Sequence, residues 1–273
     1  YAPSDKILDA PVSFRDGLGR IYAPENSDKK FKGLIPLQDA LSQSRNVPTI
    51  RLANALGIPL IIQVAQRFGI NREFPPYLPM ALGAGELTLK EITSAFSVFP
   101  NKGVRALPYF VERVEDYNGV TREEHQQRFE QVISADTAEK MVYLLRNVIR
   151  EGTARRARSI NRPAAGKTGT TNDSTDSWFV GFIPQITVGI WAGHDEKKSL
   201  GEKVYGSNLA LPIWIDYIKN ISSKLSVKNF ESTFITQDLN VPKRVQSSKK
   251  KTAENPWSVE DIPPPDTVLR PQE

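Results

Sequence analysis

Three features of the sequence predict an α+β fold, an antiparallel sheet flanked by helices with a separate helical lobe. Helical apolar spacing dominates residues 37–99 and returns over 134–151. Three strand-length apolar runs then follow at about 163–170, 177–183 and 186–192, with links short enough to require antiparallel pairing. A last run, Leu211, Trp214, Ile218, Ile221 and Leu225, repeats at helical spacing and supplies a helix to cover that sheet. Helices cluster before strands and do not alternate with them, which argues against a parallel βαβ design.

Residues 1–36 are rich in Pro, Gly, Asp and Asn, carry a basic cluster at Lys29, Lys30 and Lys32, and read as extended chain and turns that add little core. Leu37, Ala40 and Leu41 share one helical face, and a second apolar run starts at Val47. Pro48 suits a first helical turn, so the SQSRN segment (42–46) is the break between two helices. Pro59 and Gly69 bracket a third helix. After the Pro-rich FPPYLPM connector, Leu87–Phe99 forms another, ended by PNKG. Tyr109–Val120 alternates and closes on Asn118-Gly119, a hairpin signal. Ser134 caps a helix running to Glu151, with Ala138, Met141, Val142, Leu145, Val148 and Ile149 as its core stripe and Gly152 as its stop. From Pro242 the composition turns basic and then Pro-rich, dividing the chain into a domain (1–241) and a tail (242–273).

Composition limits the chemistry. With no cysteine there is no thiol nucleophile, disulfide or thiolate metal site, and two histidines, His125 and His194, cannot build a three-histidine centre. No metal and no cofactor is expected. The net charge of +5 reads as a solvated basic surface, and no nucleic acid partner is inferred. Ser177–Gly193 is apolar but is broken by Pro184 and Gln185 and falls short of the ~20 residues of a membrane span. The opening YAPSDKILDAPVSF has neither an initiating Met nor the sections of a signal peptide, so the chain reads as a piece whose address has been removed.

The segment AAGKTGTT (164–171) offers two chemistries. As a phosphate cradle it fails, because Asn161 stands where the first glycine belongs and no helix follows. As part of a serine acyl-transfer site it fits: Lys167 would hold charge near a substrate carboxylate and shuttle protons, Thr168 and Thr170 would donate to that carboxylate, and Gly169 would let a substrate backbone lie close. The N–H of Thr170 would serve an oxyanion hole if the strand edge is free. Lys-Thr-Gly alone is weak. Ser44-Arg45-Asn46, in the break between two helices, supplies the second element of the S-x-x-K, S-x-N, K-T-G set.

With these elements and the longer segments LPMALGAGELTLKEITSAFSVFPNKG, NVIREGTARRA, AAGKTGTTNDSTDSWFVGF and GIWAGHDEKK, the sequence resembles the transpeptidase domain of class A, bifunctional penicillin-binding proteins, on their 1A branch, over most of residues 18–220. The resemblance implies a D,D-transpeptidase that cross-links peptidoglycan stem peptides on the periplasmic side, is acylated by β-lactams and belongs to a parent anchored in the inner membrane. It implies that Ser44 relays a proton to the leaving amine, that Asn46 bonds the substrate amide, and that Lys167, Thr168 and Thr170 engage the carboxylate beside Gly169.

One element is missing. Ser27/Lys30, Ser247/Lys250 and Ser248/Lys251 fit S-x-x-K, but none opens an apolar helix. The resemblance implies that the nucleophile and the first two sheet strands lie upstream, in a segment of the same domain that could be a separate chain. Two alternatives remain: a non-catalytic penicillin- or peptidoglycan-binding module and, ranked lower for want of a deacylating carboxylate, a β-lactamase. Elsewhere His194-Asp195 reads as the polar end of a strand and Asp173, Asp176 and Ser177 as a capped turn, while Trp178, Trp191 and Trp214 are expected in the core.

Overall fold

A computed structural model describes residues 1–15, 21–171 and 173–231; the tail beginning at Pro242 lies outside the described residues. The N-terminal segment contains β1 (Lys6–Asp9), β2 (Phe14–Arg15), β3 (Ile21–Tyr22) and β4 (Gly33–Pro36), paired antiparallel as β1 with β4 and β2 with β3. This corrects the expectation of extended chain and turns that add little core. The β1–β4 ladder buries Ile7 and Ile35 against Ala40, Leu37 and Leu52, and it also buries Asp9 and Asn26. Strands of two to four residues are too short for alternation to show in sequence.

The helical lobe follows as α1 (Leu37–Ser42), α2 (Asn46–Leu56) and α3 (Ile58–Arg67), with one break at 43–45, inside the expected 42–46, and another at Gly57, just before Pro59. The Pro-rich connector contains a 3-10 turn, Leu78–Leu82. Helix α4 (Leu89–Ser97) begins with a reciprocal capping box between Thr88 and Glu91. A small exposed region then carries β5 (Val104–Ala106), β6 (Arg113–Glu115), β7 (Thr121–Glu124) and β8 (Phe129–Gln131), with β5 paired to β8 and β6 to β7. The hairpin turns at Asn118-Gly119, with Gly119 at φ 77°. Its pairing starts at Arg113 and not at Tyr109. Phe110 and Tyr117 are 85% and 97% exposed, because no second layer covers these strands.

The described core is built around β9 (Ala165–Thr170), β10 (Asp176–Ile183) and β11 (Ile186–Gly193), an antiparallel sheet in the order β11-β10-β9. Alternation along β10 serves two layers. Phe179 and Ile183 meet Leu211, Trp214 and Ile218 of α6 (Ala210–Ser222), with the Phe179 and Trp214 rings edge to face at 5.1 Å. Phe182, with Ala165, meets Val142 and Leu145 of α5 (Ala135–Arg150), whose N-terminus is capped by Ser134. On β11, Gly189 lets α4 approach so closely that a Cβ there would lie 2.1 Å from Thr93 Oγ1. Trp214 is fully buried as expected, but Trp178 is half-buried and Trp191 is 37% exposed, which corrects their core placement.

Candidate active site

Ser44 stands on the turn between α1 and α2, and its backbone is unusual. The N–H of Arg45 donates to Ala40 O (2.9 Å) and that of Ser44 to Leu41 O (3.1 Å), the bond pair of a Schellman motif, with Ser44 in the left-handed position at φ 53°. That position favours glycine and costs another residue roughly 1 kcal/mol or more. Strain of this kind aims the Ser44 side chain out of the lobe while Arg45 turns into it.

The aim is met from the sheet. Lys167 Nζ donates to Ser44 Oγ at 2.8 Å and to Thr168 O at 3.1 Å, joining residues 123 apart in the chain. Lys167 is half-buried, and desolvation of its ammonium lowers its pKa to about 8. The amine is thus close to exchanging its proton near neutral pH, beside a hydroxyl that can receive or pass it.

A third strand of chain fastens the two sides together. Thr153 N–H donates to Ser42 O (3.1 Å), and Thr153 Oγ1 lies 2.8 Å from Thr168 Oγ1. Gly152 does end α5, yet it is absent from the positive-φ residues. Its requirement is close approach: a Cβ there would sit 2.1 Å from Ser42 O. In the sequence Gly152 reads only as a helix stop, and nothing local distinguishes the two demands.

Within β9, Lys167 and Gly169 face one side and Thr168 and Thr170 the other. Thr170 Oγ1 accepts from Gly206 N–H (2.9 Å) and keeps its own proton for donation. A Cβ on Gly169 would lie 3.1 Å from Trp178 Cβ, so the glycine already answers to an internal neighbour besides any ligand. Strand β9 is the sheet edge, as an oxyanion role for Thr170 requires. Asn46 begins α2, and its Nδ2 donates to Glu25 O at 2.9 Å. The structure therefore brings Ser44, Lys167 and Thr168 into one connected group, with Asn46 and Thr170 flanking it on its two supports.

The other candidates lie apart. His194 and Asp195 line a cavity of about 520 Å³ with Glu86, Trp178 and Trp191, and no serine is among its lining residues. Asp176 accepts from Trp191 Nε1 and Thr175 Oγ1, both at 2.8 Å, as part of a capped turn. Ser177 Oγ donates to Tyr205 O and accepts from Ala210 N–H at the start of α6. Ser27 lies in a turn, where the carbonyl of Lys30 accepts from Arg45 and Asn26.

A sheet whose edge strand offers Lys-Thr-Gly to a Ser-x-Asn turn defines a class of acyl-transferring domain. The family model described as penicillin binding protein transpeptidase domain matches residues 3–210, and the chain belongs to that family. It is 41% identical over 213 residues to penicillin-binding protein 1A of Aquifex aeolicus (strain VF5), an alignment covering 78% of this chain and 29% of the relative. For penicillin-binding protein 1A of Neisseria lactamica the values are 40% over 225 residues, 79% and 28%. The chain thus spans under a third of the length of these relatives. Among solved structures, penicillin-binding protein 1A from Haemophilus influenzae superposes with TM-score 0.78 at 27% identity, over 83% of this chain and 40% of that one. PonA1 of Mycobacterium tuberculosis in complex with penicillin V, at TM-score 0.73 and 22% identity over 84% of this chain and 66% of its own, shares the fold.

Proposed function

We propose that the chain carries the Ser-x-Asn and Lys-Thr-Gly half of a serine D,D-transpeptidase site that cross-links peptidoglycan stem peptides and is acylated by β-lactams. The carrying observation is the 2.8 Å bond from Lys167 to Ser44 across the seam between lobe and sheet. In the reaction a serine oxygen attacks the carbonyl of a stem-peptide bond, the C–N bond breaks, and the departing amine takes a proton through Ser44. An acceptor amine then attacks the acyl ester, the serine oxygen regains a proton, and a new amide is left. Lys167 and Thr168, with Thr170 beside them, hold the substrate carboxylate, and Asn46 binds the substrate amide. Gly169 leaves room for the substrate backbone.

No residue of this chain is assigned as nucleophile; the S-x-x-K element is to come from another segment of the domain. Work on peptidoglycan places the site on the periplasmic side, in a parent protein held in the inner membrane. Mass spectrometry after incubation with labelled penicillin tests the reading. The 273-residue chain alone is expected to stay unmodified, and to become acylated only in a polypeptide or complex that also holds S-x-x-K. A covalent adduct on the isolated chain would overturn the assignment of the nucleophile elsewhere. Reversible penicillin binding with no adduct in either preparation would favour the binding-module alternative.

A further inference from the structure

The Ser44 hydroxyl is exposed and its backbone is strained, so no packing of its own explains why it stays on Lys167. The residues that follow it are held from below. Arg45 is 5% exposed, and its guanidinium donates to three acceptors: Asp9 Oδ2 (Nε, 2.9 Å), Asp28 Oδ2 (Nη1, 2.7 Å) and the carbonyl of Lys30.

Asp9, on β1, is completely buried, and the bonds of its carboxylate to Arg45, Asn26 and Lys32 lead back to the same turn and the loop that Arg45 reaches. Its Oδ2 also accepts from Lys32 N–H (3.2 Å), fixing the carbonyl-bearing loop that Arg45 reaches. Its Oδ1 accepts from Asn26 Nδ2 at 2.7 Å. Asn26, 2% exposed, passes the hold on: its Oδ1 accepts from Val47 N–H at 3.2 Å in the first turn of α2. One carboxylate therefore grips the chain just after Ser44 directly through Arg45 and again through Asn26 and Val47.

A buried ion pair of this kind gives little net stability against a well-packed apolar pair. Its advantage is directional: the guanidinium fork admits one orientation of the backbone that carries it. Asp28, the other carboxylate on Arg45, is 46% exposed and only closes the pair on the solvent side. We propose that Asp9 is a positioning residue for the acyl-transfer site, acting through Arg45 and Asn26 to keep Ser44 in its left-handed turn against Lys167. This inference rests on the reading of Ser44 and Lys167 as the proton-relay pair and assigns Asp9 a part in it.

The test reads Lys167 directly and needs no turnover. Competitive trace acetylation of the full chain across pH, followed by mass spectrometry, gives an apparent pKa for each lysine. Native protein is expected to place Lys167 at about 8. In Asp9→Asn, and in the charge-neutral pair Asp9→Asn with Arg45→Met, Ser44 drifts, water reaches the amine, and the pKa rises by about one unit. At pH 8 the neutral fraction then falls from about a half to about a tenth. Asp28→Asn is expected to leave Lys167 unchanged. Arg45→Lys keeps a cation on Asp9 and so guards folding, and it is expected to give an intermediate rise. If the more disruptive variants do not fold, that single shift decides. A folded Asp9 or Arg45 variant with Lys167 still at about 8 overturns the proposal. Absence of acylation in any preparation would instead count against the transpeptidase reading and leaves this result legible.

Discussion

The two sides of the Ser44–Lys167 seam are held in opposite ways. Lys167 rides on a strand whose partner, β10, is packed on both faces by apolar side chains, among them the fully buried Phe179, Phe182 and Trp214. Ser44 rides on a strained turn held by polar groups, the buried Arg45 with Asp9 and Asn26. Apolar packing is non-directional and supplies stability; charge-assisted bonds supply orientation at small net gain. Damage to the sheet side should therefore unfold the protein, whereas a change on the lobe side that leaves no buried charge unpaired should misaim a hydroxyl in a protein that remains folded.

The largest effect that would break this contrast is in the core. Trp214→Ala is expected to cost about 3–5 kcal/mol in denaturant unfolding. A loss below 1 kcal/mol would mean that the α6 layer does not carry the sheet. Next comes the seam. Gly152→Ala must move either Ser42 or the turn after α5, since the new Cβ would lie 2.1 Å from Ser42 O. A cost of about 1–3 kcal/mol is expected, together with loss of protection of the Thr153 amide in hydrogen exchange.

A sharper comparison comes from Ser44→Gly. Glycine relieves the left-handed backbone, so stability should rise by about 0.5–1 kcal/mol while the proton relay disappears. Loss of stability would show that the Ser44 side chain holds the lobe, contrary to the division drawn above. Lys167 gives a pH signature of its own. Its folded pKa, about 8, lies below its ordinary 10.5, so over this interval the unfolded chain binds more protons and stability rises with pH. Lys167→Met should flatten that rise. Binding of a carboxylate ligand favours the ammonium form, so calorimetry in two buffers at pH 8 should show uptake of up to about half a proton. Release of protons would reverse the assigned role. The smallest effect belongs to the uncovered hairpin, where Tyr117→Ser should change stability by no more than about 0.5 kcal/mol.

Much of the frame was legible because periodicity and caps are local. The stripe of α5, the Ser134 cap, the Asn118-Gly119 turn and the three long strands all lie where spacing puts them. The N-terminal ladder was not legible: in four-residue strands Ile7, Asp9 and Ile35 carry too little pattern. Nor were the demands on Gly152 and Gly169, which come from Ser42 and Trp178 in other elements. Arg45 is the clearest case. Between Ser44 and Asn46 nothing local marks it for burial, and it is buried because two carboxylates distant in sequence come to it.

By itself, the sequence determined the α+β order of elements and put Ser44 in a helix break and Lys167 on a strand, since short-range apolar spacing and turn chemistry set both. Only the tertiary structure decided that these two atoms stand 2.8 Å apart and that the amine's pKa falls to about 8. Contact between residues 123 positions apart and exclusion of water depend on how whole layers pack, and no local pattern encodes that.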